Sequence, residues 1–213
     1  MPEHGYRVLV FLEALGLAAY IGWYIWQLQD ALRNSWIVFP IWLAISVAVH
    51  RDTPKTLGWR ADNLWPASLR AAKVFAAFIV AICAVAAWLG AFYCRPVHLT
   101  EARPFFGYLG FCLLQQVALN SYLTNRLLDV FESRSVVALI AGAIFATLHW
   151  PNPVLVPLTL VGGATMSWLF ARERNILPLT VGQAVMGALI WWAFPNSWHH
   201  GMRVGPGFYS FHP

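Results

Sequence analysis

The chain has 213 residues, of which 59% are apolar and only 11% charged, with 12 tryptophans and a formal charge of +5. Soluble domains carry about 25% charged residues, so this composition excludes an ordinary soluble protein and predicts an integral membrane protein. The basic residues are scattered among short loops instead of forming one surface, which excludes nucleic acid as a partner.

Seven apolar segments predict an all-α, polytopic bundle of about seven transmembrane helices. They are residues 8–28, 36–49, 71–93, 105–127, 136–149, 153–170 and 176–193. Several approach the roughly 20 residues that a helix needs to cross about 30 Å of hydrocarbon. The second, fifth and sixth are shorter, so we expect them to be tilted, partly re-entrant or buried among their neighbours. Because no repeat or composition break divides the chain, we expect one membrane domain over residues 1–213.

The first segment contains Glu13, the sole acidic residue inside a predicted span. An intramembrane carboxylate is a functional candidate by default, with a partner to be found. Because Glu13 lies near the end of the segment, we favour the alternative that its side chain extends toward the lipid headgroups.

Residues 51–66 form the longest polar interruption, in which basic groups alternate with Leu57, Trp59, Leu64 and Trp65. Indoles at the membrane interface and basic groups near anionic lipid are typical of such a segment. We therefore expect it to lie at the headgroup level, with substrate docking as the alternative.

The fourth segment carries Gln115, Gln116 and Asn120 in otherwise apolar surroundings. Without water, each amide must find a partner inside the protein, so this cluster is expected to face the bundle interior. Gln116 and Asn120 are four residues apart and share a helix face, while Gln115, about 100° away, can point toward the same seam.

Two further polar side chains belong to the fifth and seventh segments. His149 ends the fifth segment just before a turn that Pro151 and Pro153 impose, and Gln183 lies within the last span. Together with the three amides of the fourth segment they predict a polar chamber. The simpler alternatives are helix-to-helix hydrogen bonding for the amides and an interfacial position for His149.

The order and spacing of these residues resemble the CAAX protease and bacteriocin-processing (CPBP) family of intramembrane endopeptidases. The family pattern is two adjacent Glu followed after three residues by Arg, then Phe-x-x-x-His, then His-x-x-x-Asn or a relative of it. The matching positions here are Gln115, Gln116, Asn120, Phe145, His149, Gln183 and Gly187. The similarity covers about residues 51–193, including a Leu-Gly-Trp-Arg stretch at 57–60, and leaves residues 195–213 as a C-terminal tail.

The resemblance implies a membrane-embedded chamber in which glutamate and histidines activate water to cleave prenylated or other membrane-anchored proteins. Here amides stand at both glutamate positions and at the second histidine position, and Asn120 stands where the family has arginine. An amide cannot act as a general base as a carboxylate can, although it keeps shape and hydrogen-bonding capacity. The sequence therefore predicts a degenerate active site with no assigned catalytic residue.

Two functions remain open at this stage. The first is a relative of these proteases without peptidase activity, serving as a binding, assembly or scaffold subunit; the second is an active endopeptidase that uses His149 with an unrecognised base.

Membrane lipids and another membrane protein are the expected partners, and a bound lipid or pigment stays open. No cofactor is predicted, and a metal site at His149 is disfavoured because such sites need three or more His, Cys or carboxylate ligands. His199 and His200 in the tail indicate either a weak metal site or an aromatic cap.

The basic residues also predict an orientation. With a cytoplasmic N-terminus, ten of the 14 Lys and Arg residues lie inside: Arg7, Arg51, Lys55, Arg60, Arg70, Lys73, Arg126, Arg134, Arg172 and Arg174. The other four, Arg33, Arg95, Arg103 and Arg203, then lie outside. This bias indicates a protein of a bacterial cytoplasmic membrane whose C-terminal tail is on the outer face.

Cysteines introduced at positions 60, 172 and 200 test this orientation in intact cells. A membrane-impermeant thiol reagent should label position 200 and spare positions 60 and 172, because only the tail is then exposed to the outside. Labelling of positions 60 and 172 without position 200 would reverse the assignment.

Overall fold

The computed structural model of the protein describes residues 3–32, 34–91 and 102–211. Within these ranges every regular element is helical, and each of the seven apolar segments coincides with a long helix. Arg33 and Arg95, which enter the orientation count, lie outside the described residues, as does the side chain of Arg103.

Seven helices, α1 to α7, form the bundle, and two short ones, α8 and α9, follow in the tail. Helix α1 is Glu3–Trp23, with a π-helical continuation Tyr24–Leu28 and a last turn Gln29–Ala31, and helix α4 combines Ala102–Gln116, the π-helical Val117–Thr124 and Asn125–Val130. Helix α2 is Val38–His50 and follows the 3-10 turn Ser35–Ile37. The remaining helices are α3, Leu64–Trp88; α5, Arg134–Thr147; α6, Leu155–Glu173; α7, Leu177–Ala193; α8, Asn196–His199; and α9, Pro206–Tyr209.

Three helices of the described part are long and apolar enough to cross a membrane, namely His4–Ala31, Leu64–Trp88 and Leu155–Glu173. The shorter apolar helices are Ser35–His50, Arg134–Thr147 and Leu177–Ala193. The all-α class of helical membrane bundle is therefore confirmed, while the number of seven spans stays a prediction.

Helices α5 and α6 are the most closely packed pair in the described bundle. A Cβ added at Gly142 would lie 2.6 Å from the backbone nitrogen of Ala164, and one added at Gly163 would lie 2.9 Å from the ring of Phe145. Glycine at both positions lets the two backbones approach, which maximises van der Waals contact where no hydrophobic effect operates between helices in lipid.

The segment between α2 and α3 is attached to the bundle by its backbone. The carbonyl of Leu57 accepts a hydrogen bond from Ser121 Oγ at 2.5 Å, and the carbonyl of Gly58 accepts one from the Ile176 N–H at 3.0 Å. Gly58 has a φ of +86°, and a Cβ there would lie 2.6 Å from the Phe170 ring, so glycine is required for conformation and for space.

Helix α3 begins seven residues before the apolar segment that predicted it. Leu64 and Trp65, assigned from the sequence to the polar loop, lie in its first turn. Pro66 follows them there, and proline is tolerated because the first N–H groups of a helix have no intrahelical partner. The expected boundary at residue 71 was wrong because hydropathy marks where a helix enters lipid, not where its hydrogen bonding starts.

Glu13 lies among polar side chains of α2 and α4. Its carboxylate accepts a hydrogen bond from Ser46 Oγ at 2.5 Å and contacts His50 Nε2 at 2.8 Å, and its backbone carbonyl accepts the hydroxyl of Tyr122 at 2.9 Å. The Glu13 carboxylate therefore has partners inside the protein, and its position relative to the headgroups stays a prediction. Ser46 and His50 are four residues apart on α2, so both face the same point on α1.

Arg126, assigned from the sequence to a cytoplasmic segment, is the largest fully buried side chain described, with 1% exposure. Its guanidinium donates to Ser46 Oγ at 3.0 and 2.8 Å and to the carboxylate of Asp52. Arg126 also lies 3.6 Å from Glu13 and 3.8 Å from Asp129. It therefore joins α1, α2, the following loop and α4.

The tail returns to the bundle at Asn152. This fully buried amide donates to the carbonyls of His199 and Arg203 at 2.8 and 3.0 Å, and its oxygen accepts the Val154 and Leu155 N–H groups at the start of α6. In the tail, the His200 ring stacks on Phe208 with centroids 3.9 Å apart. These contacts match the aromatic cap, and no group of three potential metal ligands occurs among the residues described.

Replacing Arg126 by methionine should strongly destabilise the protein. Removing one partner of a buried ion pair costs about 3–5 kcal/mol, because the carboxylates of Asp52 and Glu13 lose their counter-charge. At about 2–4 °C per kcal/mol, the unfolding midpoint in detergent should fall by about 6–20 °C. The matched control is Arg172→Met, an exposed arginine stacked on Trp168, which should change it little. Equal midpoints for both variants would contradict the assigned contacts.

Candidate functional site

Four amide side chains meet between α4 and α7, at the positions of the resembled protease motifs. Gln115, Gln116 and Asn120 come from α4, and Gln183 comes from α7. Gln116 and Asn120 are 0% exposed. This confirms that the polar groups of the fourth segment point into the bundle and not toward lipid, as the cost of an unpaired amide in hydrocarbon requires.

The four amides satisfy one another in a directed chain of hydrogen bonds. Asn120 Nδ2 donates to Gln116 Oε1 at 2.5 Å, and Gln116 Nε2 donates to Gln183 Oε1 at 2.6 Å. Gln183 Nε2 then donates to Gln115 Oε1 at 2.6 Å. Gln116 and Gln183 each accept one of these bonds and donate the next, and Gln115 accepts the last one. We call this set the amide chain.

Two hydroxyls extend the amide chain toward α6. Thr124 Oγ1 lies 3.1 Å from Asn120 Oδ1, 3.0 Å from Ser167 Oγ and 2.8 Å from the carbonyl of Leu119. Sequence reasoning missed Thr124 and Ser167 as part of this site. The spacing contained the signal for Thr124, because Gln116, Asn120 and Thr124 recur every four residues along one helix face.

The π-helical stretch Val117–Thr124 contains most of this face. A π-helix opens the backbone ladder by one residue per turn, and such stretches occur often at functional sites. The contact of the Thr124 hydroxyl with the Leu119 carbonyl, five residues earlier, supports this widened ladder. Asn120 and Thr124 therefore lie on the irregular section of α4, and Gln115 and Gln116 end the regular section before it.

His149 lies outside the amide chain. Its Nδ1 donates to the Phe145 carbonyl at 2.7 Å, and its ring packs against the Phe145 ring with centroids 4.6 Å apart. Since a carbonyl only accepts, this bond fixes the proton on Nδ1 and leaves Nε2 as the proton acceptor of the neutral ring. Among the described residues, no hydrogen bond joins His149 to Gln116, Asn120 or Gln183.

Gly187, the last motif position, has Tyr108 packed against it. A Cβ at Gly187 would collide with the Tyr108 hydroxyl, so the aromatic side chain from α4 occupies the space that a larger residue would need. Gly182 likewise admits the ring of Phe75 from α3. These two glycines let α3 and α4 pack against α7.

The structure thus brings Gln115, Gln116, Asn120 and Gln183 together and leaves His149 with a backbone partner. None of the four amides titrates near neutral pH, so the chain can hold a shape and donate or accept hydrogen bonds but cannot take up a proton. No group of three or more His, Cys, Asp or Glu that could hold a metal occurs in the described ranges.

A helical membrane bundle with polar side chains at these motif positions defines an intramembrane-protease type of architecture. The family model described as Type II CAAX prenyl endopeptidase Rce1-like matches residues 73–189, more than half of the chain, so the protein belongs to this family. The match begins within α3, so it is shorter than the expected 51–193 and does not include residues 57–60. No curated protein and no solved structure matches the chain.

Replacing Gln116 by leucine should destabilise the protein, because Asn120 Nδ2 and Gln183 Oε1 then lose their partners. Hydrogen bonds of this kind in membrane proteins contribute about 0.6–2 kcal/mol. In a double-mutant cycle, Gln116→Leu and Gln183→Leu should show a coupling of about that size in the free energy of unfolding. Gln29→Leu, on the exposed end of α1, is the control. Additive effects of the two substitutions would contradict the assigned bond.

Proposed function

We propose that this member of the family has no peptidase activity and serves as a binding, assembly or scaffold subunit in the membrane. The observation that carries the proposal is the amide chain. At the positions where the resembled motifs have two glutamates and a second histidine, three amides hydrogen-bond one another. Water attack on a peptide bond needs a group that accepts a proton, and these side chains cannot supply it.

The packing around the amide chain supports the same proposal. Gln116 and Asn120 are fully buried, and Tyr108 fills the space beside Gly187. A catalytic chamber needs access for a substrate and a water molecule next to its base. Here the corresponding positions are used for helix-to-helix bonding, which is the common use of amides in membrane bundles.

A second candidate function is an active endopeptidase that processes membrane-anchored or prenylated proteins. One observation favours it: His149 has its proton fixed on Nδ1, which leaves Nε2 free to accept another. Catalysis by this histidine would require a further acid, base or metal ligand brought in by the substrate or by a conformational change. We rank it second because His149 has no such partner among the residues described.

Membrane lipids and another membrane protein are the proposed partners. The indoles of Trp65, Trp88 and Trp150 are strongly exposed and offer large, rigid apolar surfaces to either. We place the N-terminus in the cytoplasm and the tail on the outer face of a bacterial cytoplasmic membrane, on the distribution of basic residues.

The purified protein in lipid nanodiscs should not cleave a fluorogenic membrane-anchored peptide that a peptidase-active family member cleaves in parallel. Gln115→Glu and Gln116→Glu should not restore activity, because Asn120 supplies no cation and a buried carboxylate would cost several kcal/mol or stay protonated. Turnover by the wild-type protein that disappears in His149→Ala would overturn the proposal and establish the second candidate.

The binding function has its own readout. The protein is purified gently from its native membrane, and the amount of a co-purifying membrane protein is compared between wild type, Gln116→Leu and Gln29→Leu. Loss of the partner with Gln116→Leu, but not with Gln29→Leu, supports an assembly function for the amide chain between α4 and α7. An unchanged partner would restrict that function to other surfaces of the bundle.

A further inference from the structure

A second polar site, centred on Glu13 and His50, lies where α1, α2 and α4 meet. Glu13 contacts His50 Nε2 at 2.8 Å through Oε2 and accepts the Ser46 hydroxyl at 2.5 Å through Oε1. A nitrogen–oxygen contact of this length requires a proton between the two atoms. The Glu13 and His50 side chains are 25% and 6% exposed, so the pair is held largely within the protein.

The pair lies beside a cluster of charged side chains. Arg126 lies within 4.0 Å of the carboxylates of Glu13, Asp52 and Asp129. A second cation, Arg174, donates to Asn125, and Asn125 in turn donates to Asp52. Three carboxylates and two guanidinium groups therefore lie near the Glu13–His50 pair. Burial raises the cost of a charged carboxylate, and the 2.8 Å contact with His50 is a position in this cluster where Glu13 can share a proton.

The pair has an exposed hydroxyl on one side and an apolar groove on the other. On one side, His50 Nδ1 contacts the hydroxyl of the exposed Tyr6 at 3.2 Å. On the other, Glu13 opens into a groove of about 380 Å³ along α2. The groove is lined by the apolar side chains of Val38, Ile41, Trp42, Ile45 and Val49, with Ser46 beside Glu13.

The remaining neighbours hold the carboxylate in place without competing for its proton. Trp42 Nε1 donates to the Tyr122 hydroxyl at 2.9 Å, and that hydroxyl donates to the Glu13 backbone carbonyl at 2.9 Å. Ser46 accepts two hydrogen bonds from Arg126 and gives its own proton to Glu13. His50 is therefore the one titratable neighbour described that reaches both Glu13 and the exposed Tyr6.

We propose that Glu13 and His50 form a proton-binding site that exchanges its proton through His50 and Tyr6 and presents a protonatable carboxyl to the apolar groove. The site has two forms, carboxylate with imidazolium and carboxylic acid with neutral imidazole, which differ by transfer of one proton across the 2.8 Å contact. Ionisable groups inside membrane proteins are typical of proton relays and ligand sites. This site is independent of the amide chain and of whether the protein cleaves peptides.

The probe is dicyclohexylcarbodiimide, a hydrophobic reagent that partitions into lipid. The Glu13 carboxylic acid gives its proton to one carbodiimide nitrogen while its oxygen bonds to the central carbon. The acyl group then migrates to nitrogen, which yields a stable N-acylurea that retains the whole reagent and releases nothing. Mass spectrometry of the purified protein in nanodiscs should show one added reagent molecule on the peptide that contains Glu13, with labelling faster at lower pH.

Three comparisons make the result specific. Glu13→Gln should abolish the label, and Ile45→Trp, which fills the groove and keeps the acid, should slow it severalfold. A water-soluble carbodiimide should modify Asp62, whose side chain is 52% exposed, and spare Glu13. Asp52, 7% exposed and bound by Arg126, should stay unlabelled with both reagents and is the internal control for a buried, ionised carboxylate.

His50→Gln separates the pair from an isolated carboxyl. Without the imidazole, the acid loses the group that takes its proton, so labelling of Glu13 should extend to higher pH. No label on Glu13 in the folded wild-type protein would overturn the proposal, as would equal labelling by the water-soluble reagent, an unchanged rate in Ile45→Trp or an unchanged pH profile in His50→Gln.

Discussion

The whole arrangement depends on one constraint: a polar group buried between membrane helices must be satisfied by another group of the protein. Arg126 shows the constraint at its strongest, since a fully buried guanidinium holds residues from α1, α2 and the loop that follows α2. The amide chain meets the same requirement without charge. These two polar clusters join α1 to α2 and α4, and α4 to α7, where apolar side chains alone would pack almost as well against lipid.

The two clusters differ in the chemistry that they allow. Four motif positions of the family contain neutral amides that hydrogen-bond one another, whereas the contact between Glu13 and His50, two ionisable groups, lies outside the matched residues 73–189. The protein therefore has the family's architecture, with His149 as the one titratable side chain among these motif positions and a carboxylate–imidazole pair outside the matched residues. A binding function is consistent with this distribution, because it requires stable packing between the helices and does not require a general base.

The sequence predicted the helical class, all seven long helices and the clustering of Gln115, Gln116, Asn120 and Gln183, because hydropathy and helical spacing are local properties. It did not predict the burial of Arg126 or the partners of Glu13. Those depend on α2 packing beside α1 and α4, a tertiary contact that a count of basic residues cannot reveal. Tyr108 beside Gly187 was missed for the same reason. The position of His149 outside the amide chain also depends on packing. The spacing along the sequence placed His149 only at the C-terminal end of α5.

Asn152 connects the start of α6 with the C-terminal tail, two parts of the chain that are distant in sequence. The same amide caps the first turn of α6 and holds the backbone of the tail at His199 and Arg203. Detachment of the tail would leave Asn152 Nδ2 without its two acceptors, whereas Oδ1 could still accept the N–H groups at the start of α6. The tail therefore helps to orient the amide that caps this helix. Proteolytic trimming of the tail would therefore leave the capping amide free to rotate at the start of α6, a helix that borders a groove lined by Val156 and Leu160.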